Sequence, residues 1–397
     1  MIASRDLAVV VILLGVTQIV GYGSVFYSYA ILAPDIAVTF AVSGQWVFGV
    51  LSVAFLASSV AAPWVGAMAD KAGAGRLLVA GSVACAVALA AAGLAPSALL
   101  FGLAIVVTQA ASSCVTYQMA FTAIVQAGGP SASRGIVYLT LIAGFASTIF
   151  WPLTTWLQGQ LDWRWILMLF AAMNLTICMP LHAWIASLSR RRVAPPPEAV
   201  AERPSVPPVP PVRDRTTFVL MLAGFAAEGF VITCVLVHLV PLTHALGLGA
   251  AGLWVASLFG PAQVASRLIN MMFGGRLKQV WLAVIAAGLL PVGILLLMAT
   301  TPWLPGAIVF VALFGLSSGL NSIIGGTLPL ELFGHARFGA MAGWAASARQ
   351  FAAAFSPFAL SAMLAATGVM PSLSAMLAAG LVGLAAFLAI AIRRRGR

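Results

Sequence analysis

Three ionisable side chains, Glu228, Arg267 and Arg349, stand inside long apolar stretches of a chain in which only 7% of the 397 residues are charged. A guanidinium stays protonated and offers a planar fork of N–H donors, which meets a carboxylate through two parallel bonds. A carboxylate in the same surroundings serves as a counter-ion or takes up a proton. The pattern is clearest in FGPAQVASRLINMMFGGR (259–276). There Gly260, Gln263, Arg267, Asn270 and Gly274 follow helical spacing and share one narrow face among Val, Leu, Ile, Met and Phe. Around Arg349 the same face is built of Ala342, Ala345, Ala346, Ala352, Ala353 and Ser356, small residues that allow close helix packing or leave room for a solute. Glu228 can neutralise only one arginine in a buried ion pair; the other is then left for an anion. Arg267 and Arg349 are therefore candidate substrate ligands, and Glu228 a candidate coupling or counter-ion group.

The elements that position these groups follow from composition. Apolar residues make up 62% of the chain and the mean hydropathy is +1.07, against roughly 25% charged residues in soluble domains. Such a chain belongs in a bilayer, and apolar runs of about 20 residues argue for helices rather than for the strands of a barrel. A charge in lipid costs at least about 2.5–3.5 kcal/mol, so a polar stripe belongs against a cavity or a polar partner. Twelve candidate spans fall near 7–32, 44–65, 77–94, 98–125, 134–157, 163–186, 217–242, 250–274, 279–299, 304–328, 339–364 and 371–392. The first follows a basic residue as a leader peptide would, but it runs on without a small-residue cleavage pattern and reads as a retained span. Between the sixth and seventh lies the Pro-rich SRRRVAPPPEAVAERPSVPPVPPVRDRTT, a flexible linker. The expected organisation is an all-α membrane protein: a six-helix bundle over 1–188, a linker over 189–216 and a second six-helix bundle over 217–397.

Basic residues orient it. All but three of the 20 Lys and Arg residues, from Arg5 through Lys71, Arg76, Arg134, the linker arginines, Arg276, Lys278 and Arg337 to the last at Arg397, fall on one side of twelve spans. Only Arg164 falls on the other, with Arg267 and Arg349 inside. That asymmetry places both termini and the linker in the cytoplasm. The net charge of +11 is thus loop charge, not a nucleic-acid footprint. Cys85, Cys114, Cys178 and Cys234 sit in apolar segments with no ligand spacing, and the His residues are scattered, so neither a metal nor a cofactor is expected. No nucleophile–base arrangement suggests an enzyme.

The stretch GAMADKAGAGR (66–76), between the second and third spans, carries Gly66, Asp70, Lys71, Gly73 and Arg76 in the spacing G-x-x-x-D-[RK]-x-G-x-x-[RK]. It resembles the cytoplasmic loop of the major facilitator superfamily. The DWRW at 162–165 is similar to another superfamily feature, and GGRLKQVW, with Gly274, Gly275, Arg276 and Lys278, resembles a second copy of the loop without its acid. The resemblance implies two bundles rocking around a central site, with 66–76 as a cytoplasmic gating loop in which Asp70 can face a helix N-terminus.

Span eight, the segment TLPLELFGHARFGAMAG (327–343) and the aromatic first span GYGSVFYSYAILAPDIA (21–37) resemble the oxalate/formate antiporter and monocarboxylate transporter branch. That implies carboxylate contact for Arg267, with Arg349 in the place of a second basic residue. The first-span lysine of the animal carriers and the acid near their span-eight arginine are absent. The fourth-span arginine and fifth-span GPxxGG of proton-driven drug exporters are absent too. Uncharged polar groups near mid-span complete the candidate substrate site: Gln18, Tyr22, Tyr27, Gln109, Tyr117, Gln118 and Tyr138 from the first half, with Tyr22 and Tyr117 foremost, and Gln263, Asn270 and Asn321 from the second. In GLSSGLNSIIGG (315–326), Gly315, Ser318, Ser322 and Gly325 read as a close-packing face. The expectation is a monomeric secondary transporter of the bacterial inner membrane. It moves a small organic anion by alternating access, with protons or a counter-anion. Efflux of toxic or amphiphilic compounds and a non-transporting receptor or scaffold are the alternatives.

Overall fold

The computed structural model describes residues 4–191, 214–248, 251–274 and 277–395. Most of the Pro-rich linker (192–213), together with Gly275, Arg276 and Arg397, lies outside the described residues. The described residues form helices and no strands. The first ten helices are α1 (Ser4–Tyr22), α2 (Ser28–Thr39), α3 (Gly44–Ala72), α4 (Ala74–Gly93), α5 (Ala98–Ser112), α6 (Tyr117–Gly128), α7 (Ala132–Ala143), α8 (Ala146–Gln158), α9 (Trp163–Met173) and α10 (Met179–Arg191). The last seven are α11 (Arg215–Ala245), α12 (Ala251–Ser257), α13 (Phe259–Phe273), α14 (Gln279–Thr300), α15 (Leu304–Phe333), α16 (Phe338–Thr367) and α17 (Val369–Arg395).

Ten stretches among the described residues are long and apolar enough to cross a membrane. One of them, Ala98–Gln158, covers 61 residues. A single helix of that length would measure about 90 Å, three times the hydrocarbon thickness. It is divided into α5 to α8 by breaks at 113–116, 129–131 and 144–145. Start signals are local: Ser43 accepts from the Trp46 N–H at 3.1 Å, and Asp162 from the Arg164 N–H at 2.9 Å. Arg164 then donates to the carbonyls of Gly93 and Ala95 and lies over the Trp163 ring, so the DWRW stretch fastens α9 to the end of α4.

Two π-helical turns, Gly23–Tyr27 between α1 and α2 and Asn174–Cys178 between α9 and α10, were not foreseen. They touch: Asn174 Nδ2 donates to Ser24 Oγ at 2.9 Å. In the first turn the Val25 carbonyl accepts from Gln109 Nε2 (3.0 Å), and the Gly23 carbonyl accepts from both the N–H and the Oγ (2.7 Å) of Ser28. Nothing in the local sequence marks these turns, because Gln109 and Asn174, which bond the first of them, are distant in the chain.

A second difference concerns residues 66–76, expected as a loop after a span ending at 65. Helix α3 runs on to Ala72 and reverses only at Gly73, where φ is +88°. Gly66, Asp70 and Lys71 are thus on its last two turns and Arg76 is in the first turn of α4; both basic side chains are exposed. The extension has a packing cause, for these turns meet α16. Ser59 Oγ donates to the Ser347 carbonyl at 3.0 Å, Gly343 lies on Ala62 and Pro63, and Gly66 and Gly339 pack backbone to backbone. Asp70 closes the seam by accepting from the N–H groups of Gly339 (2.8 Å) and Ala340 (2.9 Å) in the first turn of α16.

The remaining extensive contacts between the first ten helices and the last seven are α6 with α15 and α16, and α7 with α13 and α15. Helices α2, α8 and α12, at the end away from Asp70, make no extensive contact across. The two sets therefore close at one end and part at the other.

Candidate functional site

Glu228 is on α11 and Asn321 on α15, both enclosed at 1% and 3% exposure. The Asn321 Nδ2 donates to Glu228 Oε2. Among the described residues the ion pairs are Arg393 with Asp214 and Arg394 with Glu331; Glu228 forms none with Arg267 or Arg349. Two roles are open to the buried acid, counter-ion to an arginine or coupling group; its direct contact is with an amide and not with a guanidinium. Oε1 of Glu228 and Oδ1 of Asn321 have no hydrogen-bond partner.

Arg267, on α13, is 4% exposed. Its Nε donates to Ser322 Oγ at 3.1 Å, and one helical turn away Gln263 Nε2 donates to Ser318 Oγ at 3.0 Å. Ser318 and Ser322 are four residues apart on α15, matching the spacing of Gln263 and Arg267 on α13. Gly315 and Gly319 let the helices approach, for a side chain on either would strike the α13 backbone. The polar stripe of α13 therefore leans on α15 as well as towards the middle. Gly260 is open, and Asn270 folds back over Gly274. The head of Arg267 continues past α15. Its Nη1 has no hydrogen-bond partner and rests against Gly144, at the end of α7, where even a methyl group would collide with it.

Arg349 is half-buried on α16, beside the side-chain-free positions Gly229 and Gly325. It lies within electrostatic reach of Tyr22, Tyr117 and Glu228, as Arg267 does of Tyr27 and Tyr117. The tyrosines form one cluster: Tyr22 and Tyr117 have ring centroids 4.8 Å apart, Tyr22 and Tyr27 6.4 Å, and Tyr117 stacks on Phe121. Two arginines from the last seven helices thus face three tyrosines from the first ten.

The other residues singled out from sequence go elsewhere. Gln18 Nε2 donates to the Val115 carbonyl (2.6 Å), Gln109 to Val25 and Gln118 to Ala62 (2.7 Å), so their amides tie helices together. Tyr138 is exposed. The cysteines are free, and no cluster of three metal-ligating side chains occurs among the described residues. Gly144 was missed, since its role depends on a residue more than a hundred positions away. Ser318 and Ser322 were read as packing alone, although their four-residue spacing repeats that of Gln263 and Arg267.

The sequence matches the family model of the Major Facilitator Superfamily over residues 13–357. The chain belongs to that superfamily. It is accordingly a multi-pass membrane transporter and not an enzyme. No curated protein sequence matches it. The superfamily fold is shared with the human organic anion transporter MFSD10 (TETRAN), at 16% identity, 98% of this chain and 100% of that one, and a TM-score of 0.72. It is also shared with FucP in the outward conformation (13%, 95% and 97%, TM-score 0.68). The proton:xylose symporter XylE bound to 6-bromo-6-deoxy-D-glucose is similar to the same degree (14%, 96% and 95%, TM-score 0.68). These identities are those of a common fold. Within this superfamily member, the chemistry has to be read from its own side chains.

Proposed function

We propose that the chain is a secondary transporter of a small organic anion, most simply a carboxylate, bound between Arg267, Arg349 and the tyrosines Tyr22, Tyr27 and Tyr117. One observation carries the reading: two arginines face a common tyrosine cluster without a carboxylate paired to either of them. An anion supplies the missing charge, and a guanidinium fork with phenol hydroxyls suits a carboxylate. Gln263, Asn270 and Asn321 support this wall, while Gln18 and Gln118 hold the helices that carry Tyr22 and Tyr117.

The remaining features of the reading are consistent with this site. Twelve spans in two six-helix bundles, 1–188 and 217–397 joined by 189–216, accommodate the ten apolar stretches, the breaks inside Ala98–Gln158 and the α12–α13 segment. Both termini and the 66–76 gate lie on the cytoplasmic side of a bacterial inner membrane, as the basic residues direct. In this orientation the end shut by the α3–α16 seam is the cytoplasmic one and the parted end is the outer one. The side chains of span eight and span eleven favour the oxalate/formate and monocarboxylate branch; the proposed unit is a monomer and the coupled ion a proton or a counter-anion. The organic-anion transporter among the similar structures shares the fold alone, so the anion rests on the arginines.

Uptake into proteoliposomes of radiolabelled formate, oxalate, lactate and pyruvate, with Arg267→Gln and Arg349→Gln in parallel, tests the site. Uptake by the parent and its loss in both variants is expected. Undiminished uptake in both, or transport restricted to cationic and neutral solutes, refutes the reading.

A further inference from the structure

The carboxyl of Glu228 lacks one donor. Its Oε2 takes the Asn321 amide N–H, while its own Oε1 and the Asn321 Oδ1 are both enclosed and both bare. Neither oxygen can satisfy the other, because each has lone pairs and no hydrogen. An ionised carboxylate enclosed in this way bears a desolvation penalty that groups in proteins commonly escape by neutralising. Among the described residues no guanidinium lies within ion-pair distance to offset it.

The surroundings hold little else that titrates. Helix α16 contributes Arg349, in electrostatic reach. On α15 the facing group is the uncharged Asn321, and on α17 it is Gly383. The only ionisable residues of α17 are at its end, where Arg393 and Arg394 pair with Asp214 and Glu331. Helices α12 and α14 contain none. On α11 itself His238 bonds the Cys234 carbonyl, almost three turns from Glu228.

We propose that Glu228 and Asn321 form a proton-binding site. A proton from water on Oε1 turns the carboxylate into an acid that donates to Asn321 Oδ1, while Asn321 Nδ2 continues to donate to Oε2. One added proton satisfies both bare oxygens and closes a two-bond acid–amide pair. The consequence for coupling rests on the anion reading above. The positive charge of Arg349 favours the ionised form of Glu228, and an anion seated on Arg349 cancels that field. Anion and proton then assist each other's binding, reciprocally and on the order of tenfold, which is the condition for symport.

Infrared difference spectroscopy of the purified protein through a pH titration tests the site without any substrate. We expect the carbonyl stretch of a protonated carboxyl to grow in as the pH is lowered, to be absent in Glu228→Gln and to be moved in both frequency and midpoint in Asn321→Ala. The absence of a Glu228-dependent band overturns the proposal, and a band unmoved in Asn321→Ala removes Asn321 from the site. In proteoliposomes, Glu228→Gln, whose amide reproduces the paired geometry, should keep anion exchange and lose accumulation driven by a pH gradient. Parent-like accumulation in that variant refutes the coupling. If the band is present and none of the four carboxylates moves even in the parent protein, the anion reading fails and the proton site stands.

Discussion

The first ten helices and the last seven treat buried polarity differently. In the first set, the Gln109 and Gln118 amides, Asn174, and His182 between Ser82 and Thr17, all find partners on neighbouring helices, and a Gln18 oxygen is the exception. In the second set, Glu228, Arg267 and Asn321 each keep an enclosed atom without a partner. Polar groups joined across helices inside a membrane stiffen a bundle. Charged groups left short of partners mark a place where something else binds. The first half therefore reads as a fitted wall and the second as the charged face that works against it.

Substitutions can break that contrast. The largest effect belongs to the arginines: Arg267→Gln or Arg349→Gln should weaken anion binding on the order of 10- to 100-fold, the worth of a lost charge-assisted pair, as measured by competition against a labelled carboxylate. Next comes the seam. Gly339→Val places a branched side chain against the Gly66 backbone and Asp70, and overpacking of this sort costs about 1–3 kcal/mol. Spin labels on either side of the seam should move apart in this variant; unchanged distances would show that the glycine contact is not what holds the end shut. Asp70→Ala is a milder form of the same experiment. Loss of two helix-terminal bonds, about 1 kcal/mol, shifts the open-to-closed ratio roughly fivefold. The smallest effect tests the wall itself. Gln118→Leu should lower thermal stability by about 1 kcal/mol and leave anion affinity within about twofold. A loss as large as that of Arg267→Gln would place Gln118 in the site and erase the distinction between the halves.

Local physics made much of this legible. Long apolar runs gave helices, because a backbone in lipid must satisfy its own hydrogen bonds, and the charges of Glu228, Arg267 and Arg349 stood out against them. Depth in the apolar runs singled out Tyr22 and Tyr117 only as members of a larger mid-span polar set, which also held Gln18, Gln109, Gln118 and Tyr138. Partners were harder to foresee. Counting charges leaves Glu228 as either a counter-ion or a coupling group, and its contact is with Asn321, a residue that sequence spacing cannot link to it. The turns 66–72 looked like a loop because glycine and charge mark loop ends. Here the glycine serves close contact with α16, and the charge serves the N-terminus of that helix. Gln18 and Gln118 were indistinguishable in sequence from cavity residues, since an amide facing a carbonyl and one facing a solute occupy similar helix positions.

The π turn at Gly23–Tyr27 has a consequence for how the first span tolerates changes in length. A π turn holds one residue more than the α-helical turn it replaces. Deleting one residue within it restores a regular helix and leaves the segments on either side facing as before. The same deletion near Val11 turns everything beyond it by about 100°, carrying Leu14 out of the core and lipid-facing neighbours into it. The first span therefore contains a spare register position, and a scan of single-residue deletions should find its tolerance gathered at those five residues.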